Sequence, residues 1–283
     1  MSTLSLNCLA DCHTHSKYSF DGCEEITDMC ETAIKNGIKV LTVTDHCDID
    51  DITEGRYPEY DAENAQNSIL EAQETYRDRL MLMRGLELGQ PIFYPEKSAA
   101  ILDKYRYDFV LGSMHNLMSA PDFSQFKWAD MTESEIGYFF QKSLSEIERI
   151  VDFPGINSIA HINYPVRYIR RAGKDLDYDR FLPQIERIYK KIISKNLSLE
   201  CNTSGWHKQP VPEDTDMRTL PDTDLMKLYY DLGGRMVTIG SDAHKACFIG
   251  TGITETLKTL KKIGFEYITV YTEGNPNSVP INI

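Results

Sequence analysis

A chain of 283 residues, 41% of them hydrophobic, has ample material for a buried core and suits one large domain of repeated β/α units. Its 43 acids against 30 bases leave a net charge of −13, which argues against a broad nucleic-acid or anionic-membrane surface. No run approaches the roughly 20 apolar residues of a membrane span, and residues 1–5 lack a basic segment ahead of an apolar core, so the expected location is the cytoplasm.

In chain order, β-rich runs are expected at 6–12, 40–44, 81–86, 108–112, 158–160, 197–201, 236–240 and 267–271. Helices are expected between them at about 22–36, 61–79, 96–105, 133–152, 177–195, 222–232 and 254–263. Ile136, Phe139, Phe140, Leu144 and Ile147 keep a helical period, as do Phe181, Ile185, Ile188 and Ile192. Gly37, Gly155 and Gly264 read as helix stops. Such alternation implies an α/β fold with a parallel sheet, open or closed into a barrel, whose function gathers at the C-terminal strand ends. The seven cysteines include no C-x-x-C pair and give no sign of a disulfide framework; Cys12, Cys47, Cys201 and Cys247 read as small buried hydrophobes.

Six of the seven histidines directly follow a predicted strand: His13 and His15, His46, His115, His161 and His244. Only His207 lies deeper in a loop. Glu87 and Glu200 end the two strands without a histidine, so seven consecutive strand ends carry an imidazole or a carboxylate. Residues i and i+2 of a strand share a face, so His13 with His15 and Asp242 with His244 can each face one cluster. His46 is expected to bind metal and its neighbour Asp45 to orient it or another ligand. Imidazole mixed with carboxylate suits zinc, iron or manganese better than magnesium or calcium. So many ligands exceed the needs of one ion, and Glu87 is the natural bridge.

The set His13-x-His15, Asp45-His46, Glu87, His115, His161 and Asp242-x-His244, running in this order from residue 11 to 244, resembles the polymerase-and-histidinol-phosphatase (PHP) family. Within that family, segments 13–16, 200–205 and 240–244 are most similar to the histidinol phosphatases. The resemblance implies a single PHP-type domain over residues 1–283. It would be a distorted (β/α)7 barrel holding three divalent transition metal ions (zinc, iron or manganese). Position by position, it implies His13, His15, Glu87 and Asp242 for the first ion. Glu87, His115 and His161 would serve the second, and Asp21, His46 and His244 the third. Read without the resemblance, Asp21 is a turn residue or helix cap. The run at 267–271 is an extra strand without an assigned place.

The expected chemistry is hydrolysis of a small phosphomonoester, foremost L-histidinol phosphate, by a hydroxide shared between two metals. Glu87 is expected to bridge, and Asp242 or His244 are candidates for the general acid. Arg167, expected in the loop after the fifth strand, suits phosphate by its forked guanidinium. Lys208, His207 and Lys17 are further candidates for the substrate. Glu200, or acids between 118 and 130, would receive an ammonium group. Trp206 reads as a buried hydrophobe or a ring-stacking surface. A second reading keeps the chemistry on a nucleotide or other small phosphate ester. A third is a metal-binding domain without turnover. A metal amidohydrolase is disfavoured, because no lysine stands at these strand ends. No nucleic-acid or membrane partner is expected.

Overall fold

The computed structural model describes residues 9–207 and 219–283. Strands β1 (Leu9–Thr14), β2 (Ile38–Val43), β4 (Met81–Gly89), β5 (Phe109–Ser113), β6 (Ser158–Ile159), β7 (Ser198–Asn202) and β8 (Val237–Gly240) pair in that order, all parallel. The sheet curls until its two edges meet at the C-terminal ends. There Asp242 N–H donates to His13 O at 2.7 Å and His15 N–H to Ala243 O at 2.9 Å. The expected seven-stranded barrel is the fold observed. Gly240 makes the closure possible, since a methyl group there would run into His13 Cβ.

Helices cover the outside: α1 (Ile26–Lys35), α2 (Ile49–Thr53), α3 (Ala62–Tyr76), α4 (Pro95–Lys104), α5 (Glu133–Ile150), α6 (Tyr164–Arg171), α7 (Leu182–Ser194), α8 (Thr223–Asp231) and α9 (Ile253–Ile263). Their buried faces follow the helical period, as with Ile26, Met29, Cys30 and Ala33 on α1 and Ile185, Ile188, Tyr189 and Ile192 on α7. Thr132 and Glu135 form a capping box that starts α5. No helix among the described residues is long and apolar enough to cross a membrane.

Four elements depart from the sequence reading. The second strand breaks at Thr44–Asp45 and resumes as β3 (His46–Asp48), which also pairs with β4. Residues 49–53 form α2, and the stretch expected to be a loop around Arg167 is α6. The run at 267–271 belongs to β9 (Tyr267–Thr272), which folds back on β10 (Asn275–Pro280) as an antiparallel hairpin. This hairpin closes the N-terminal end of the barrel. Glu273 N–H and Gly274 N–H donate to Asp108 at the foot of β5, both at 3.0 Å. The Tyr271 hydroxyl donates to Asn157 O at 3.0 Å and lies 2.8 Å from Ser198 Oγ. Cys12, Cys47 and Cys201 are buried as expected, but Cys247 is exposed, because it sits on a short 3-10 turn outside the barrel.

Candidate metal centre

The strand ends project buried polar side chains toward one another, His13, His15 and Glu87 among them. His13 and His15 leave β1 on one face, with Thr14 turned away between them. Two buried acids fix the loops that carry them. Asp45 accepts from Ser16 N–H (2.6 Å) and Ser16 Oγ–H (2.8 Å), holding the segment after His15. Asp11 accepts from Ser241 N–H (2.8 Å), Ser241 Oγ–H (2.6 Å) and Gly250 N–H (2.8 Å), tying the end of β8 to β1. Asp242 and His161 hold left-handed backbone, with φ of 56° and 20°. Strain of this kind persists where the surroundings dictate a side chain's direction.

Glu87 stands at the middle. Its Oε2 lies 3.0 Å from His13 Nε2 and 3.5 Å from His15 Nε2. Its Oε1 lies 3.1 Å from His115 Nε2 and 3.0 Å from His161 Nε2. Asp242 Oδ1 completes the first group, 3.3 Å from His15 Nε2 and 3.7 Å from His13 Nε2. A third group forms at the rim, where His244 Nε2 is 3.0 Å from Asp21 Oδ2 and 3.4 Å from His46 Nε2. His46 stands between groups, since its Nδ1 is also 3.1 Å from Glu87 Oε2. Asp21 is not a helix cap. Glu25 precedes α1, and the Asp21 carboxylate turns to His244 from the loop before it.

Donors in a tetrahedral shell of radius about 2.0–2.1 Å sit roughly 3.3 Å apart. The spacings above scatter around that value; three of the four groups mix oxygen and nitrogen, and His15, His46 and His244 form one of nitrogen alone. Ring orientation agrees. His13 Nδ1 is engaged by Glu200 Oε1 (2.6 Å), His15 Nδ1 by Ser19 Oγ (3.3 Å), His115 Nδ1 by Asp48 Oδ1 (3.0 Å) and His244 Nδ1 by Asp242 O (3.0 Å). In each case Nε2 is left facing the cage. Burial lowers His15 to about 4 and carries His46 well below its usual value, which keeps these rings neutral. His13 and His115 go the other way: burial opposes their charge, but Glu200 and Glu87 beside His13, and Asp48 and Glu87 beside His115, raise both well above the usual imidazole value. Burial alone would raise the Glu87 carboxyl, but the positive charge on these neighbouring rings, His13 foremost, outweighs it and holds Glu87 well below the usual carboxylate range. Divalent cations take ionised carboxylates and neutral imidazoles, so they would replace the protons that His13, His115 and His244 hold against the surrounding acids.

A supporting layer lies beneath. Glu200, expected to meet an ammonium group, is buried and does not reach the cavity. Besides the His13 ring, it holds the backbone N–H of His161 through Oε2 at 2.9 Å, so it orients one ring and anchors the main chain of a second ligand. Sequence reading also passed over Asp48, although the alternation His46-x-Asp48 marks both as one strand face. Gln90 was missed as well. It is buried with φ 48°, accepts from His115 N–H (3.1 Å) and donates to Asp50 (3.1 Å) and Asn116. Arg56 closes this network from the surface through Asp50, Asp51 and Glu54.

The cage opens into a cavity of about 450 Å3. Arg167 lines it from α6 rather than from a loop, donating to Asn202 Oδ1 (3.2 Å) and Ser204 Oγ, with Asp242 at 3.9 Å. His207 also lines the cavity, stacked on Phe248 at 4.4 Å and pushed down by burial to about 4, so it is not a cation there. Lys17 does not line it; its ammonium pairs with Glu25 at 2.7 Å. Lys208 lies outside the described residues. Trp206 packs against Gly252, away from the cavity. Asp122, from the loop between 118 and 130, does reach the wall, as do Phe20, Tyr57 and Arg171.

Comparison with known proteins agrees with this architecture. The PHP domain family matches residues 11–204. A Thermotoga maritima protein named "Probable histidinol-phosphatase" is 31% identical over 270 residues, spanning 93% of this chain and 95% of that protein. The "Histidinol-phosphatase" of Lactococcus lactis subsp. lactis is 26% identical over 276 residues, spanning 93% and 94%. The crystal structure of histidinol phosphate phosphatase from the same species, complexed with zinc, L-histidinol and phosphate, shares the fold. Its TM-score is 0.78 over 95% of this chain and 98% of that one, at 21% identity. The family match takes in strand ends from His13 to Glu200, and the Thermotoga relative extends it over nearly the full length: the chain belongs to the PHP domain family.

Proposed function

We propose that this protein is a metal-dependent phosphatase that hydrolyses L-histidinol phosphate to L-histidinol and phosphate. The observation that carries the reading is Glu87, whose two oxygens face two separate groups of imidazoles at the floor of a cavity that also holds Arg167. The donors would hold three divalent ions, with the assignment that the family resemblance implies, and zinc, iron or manganese suits the mixture. Bound there, they would act as Lewis acids toward phosphoryl oxygens and make water acidic enough to react near neutral pH.

The chain's own residues do the rest. Glu200 and Asp48 fix the tautomers of His13 and His115, leaving Nε2 as the ligand atom. Arg167 is preset by Asn202 and Ser204 to offer its fork to the phosphate. Asp242 and His244 both reach the cavity and are placed to hand a proton to the departing alcohol. At another part of the wall, Asp122 accepts only from neutral donors, Tyr164 Oη–H at 3.4 Å and Ser124 N–H at 2.6 Å. It has no cation partner among the described residues, so it is available to a substrate ammonium. Phe20 and Tyr57, stacked at 3.8 Å, offer an aromatic face to an imidazole ring.

The test is steady-state turnover of a phosphomonoester panel by protein reloaded separately with zinc, manganese or ferrous iron. Histidinol phosphate should have the highest kcat/KM. A clear preference for a nucleotide would replace the substrate, and no turnover by any loaded form would leave a binding protein.

A further inference from the structure

Helix α6 carries a second guanidinium on the cavity wall. Arg167 and Arg171 are four residues apart, so they share one helix face and are separated by about 6 Å along the axis. Both line the cavity. Their surroundings differ. Arg167 is committed to Asn202, Ser204 and Asp242. Arg171 makes no hydrogen bond or ion pair with any described residue, and its neighbour is the Tyr168 ring, 5.2 Å away.

Arg106 and Arg180 also show no hydrogen bond or ion pair with any described residue, but neither lines the cavity. With 43 acids available, Arg56, Arg77, Arg79, Arg84, Arg149 and Arg187 each hold a carboxylate. Arg171 is exposed on the cavity wall, where partial desolvation and the like charge of Arg167 lower its affinity for its proton, opposed only by the Tyr168 and Tyr164 hydroxyls and by no carboxylate among the described residues. The Tyr168 hydroxyl donates to Tyr164 at 2.8 Å and accepts nothing from Arg171, which meets the ring instead. Two like charges on one wall, one of them without a counterion, suit a ligand that brings two negative groups.

We propose that Arg171 forms a second anion subsite, about one helical turn from the Arg167 phosphate position, so that the cavity binds small phosphorylated compounds with an additional carboxylate or phosphoryl group more tightly than those with phosphate alone. The subsite rests on Arg167 receiving a phosphoryl group. It makes phosphorylated carboxylic acids a class of inhibitor that the substrate assignment does not suggest.

Two phosphonates that resist hydrolysis isolate the second charge: 3-phosphonopropionate and propylphosphonate. Calorimetric titration of the zinc-loaded full chain should show the carboxylate-bearing compound binding about tenfold tighter. Arg171→Gln should erase the difference, Arg171→Lys should restore part of it, and Arg170→Gln, which changes a residue off the cavity wall, should keep it. Equal binding of the two phosphonates by the unmodified protein, or a difference that survives Arg171→Gln, overturns the subsite alone. If neither phosphonate nor inorganic phosphate binds, the phosphate reading of Arg167 falls and the subsite falls with it. Thermal melting of each variant separates lost binding from lost fold.

Discussion

The two ends of the same seven strands are built from different materials. At the C-terminal end, six histidines, Glu87 and Asp242 crowd together, two of them on left-handed backbone, and the cage opens to solvent through a polar cavity. At the N-terminal end, Phe109 stacks on Tyr271 at 5.2 Å, Ile268, Val270 and Val279 are buried, and the hairpin satisfies Asp108 and Asn157. One end gathers carboxylates and imidazoles that suit cations; the other buries apolar surface and completes hydrogen bonds. The barrel thereby separates chemistry from stability along a single axis.

The comparison can be broken by substitutions at each end. Glu87→Gln should have the largest effect, because it disturbs two groups at once. We expect kcat/KM to fall by at least about 1000-fold, with elemental analysis showing fewer bound ions. Full metal content with normal turnover would dissolve the idea of a shared cage. Arg167→Gln should come next, with kcat/KM down by about 100-fold and metal content retained, as phosphate inhibition and elemental analysis together would show. Glu200→Gln keeps the shape but weakens the hold on His13, so metal affinity should drop by about 10- to 100-fold, read by competition with a chromophoric chelator. Excess metal should rescue much of its turnover. The smallest functional effect belongs to the other end. Tyr271→Phe removes a buried hydroxyl and should cost about 1–2 kcal/mol in urea unfolding, while turnover stays within about twofold. A large kinetic loss there would mean that the two ends are not separate.

Much of the active end was legible because its signal is positional. A histidine or acid at the close of each β-rich run can be counted without coordinates, and His13, His46, Glu87, His115, His161 and Asp242 all converge as the runs require. Asp21 was different. Nothing in its local sequence distinguishes a turn residue from a ligand, and only the family pattern pointed to it. Short elements were lost because periodicity needs length: β3 has three residues, and α2 has five. Helix α6 had a usable signal in Pro165, which stands in its first turn. Reading it would have put Arg167 and Arg171 on one face. The hairpin was half visible, since Pro276 and Pro280 make β10 look like a loop, yet prolines are tolerated on an edge strand. Glu200 was misjudged because its strand-end position fits a ligand, a substrate contact or a support equally well. Depth below the cavity decides among these, and depth is not written in sequence.

The hairpin also bears on when the barrel can be finished. Asp108, Asn157 and Ser198 stand at the feet of strands made early, whereas the residues that satisfy them lie more than 70 positions later. A growing chain must therefore carry a cylinder with an open base until β9 and β10 arrive, and contacts between residues so distant are the slow ones to form. Folding on the ribosome should show its last gain in protease resistance as the hairpin emerges, long after the imidazoles of the opposite end have been translated.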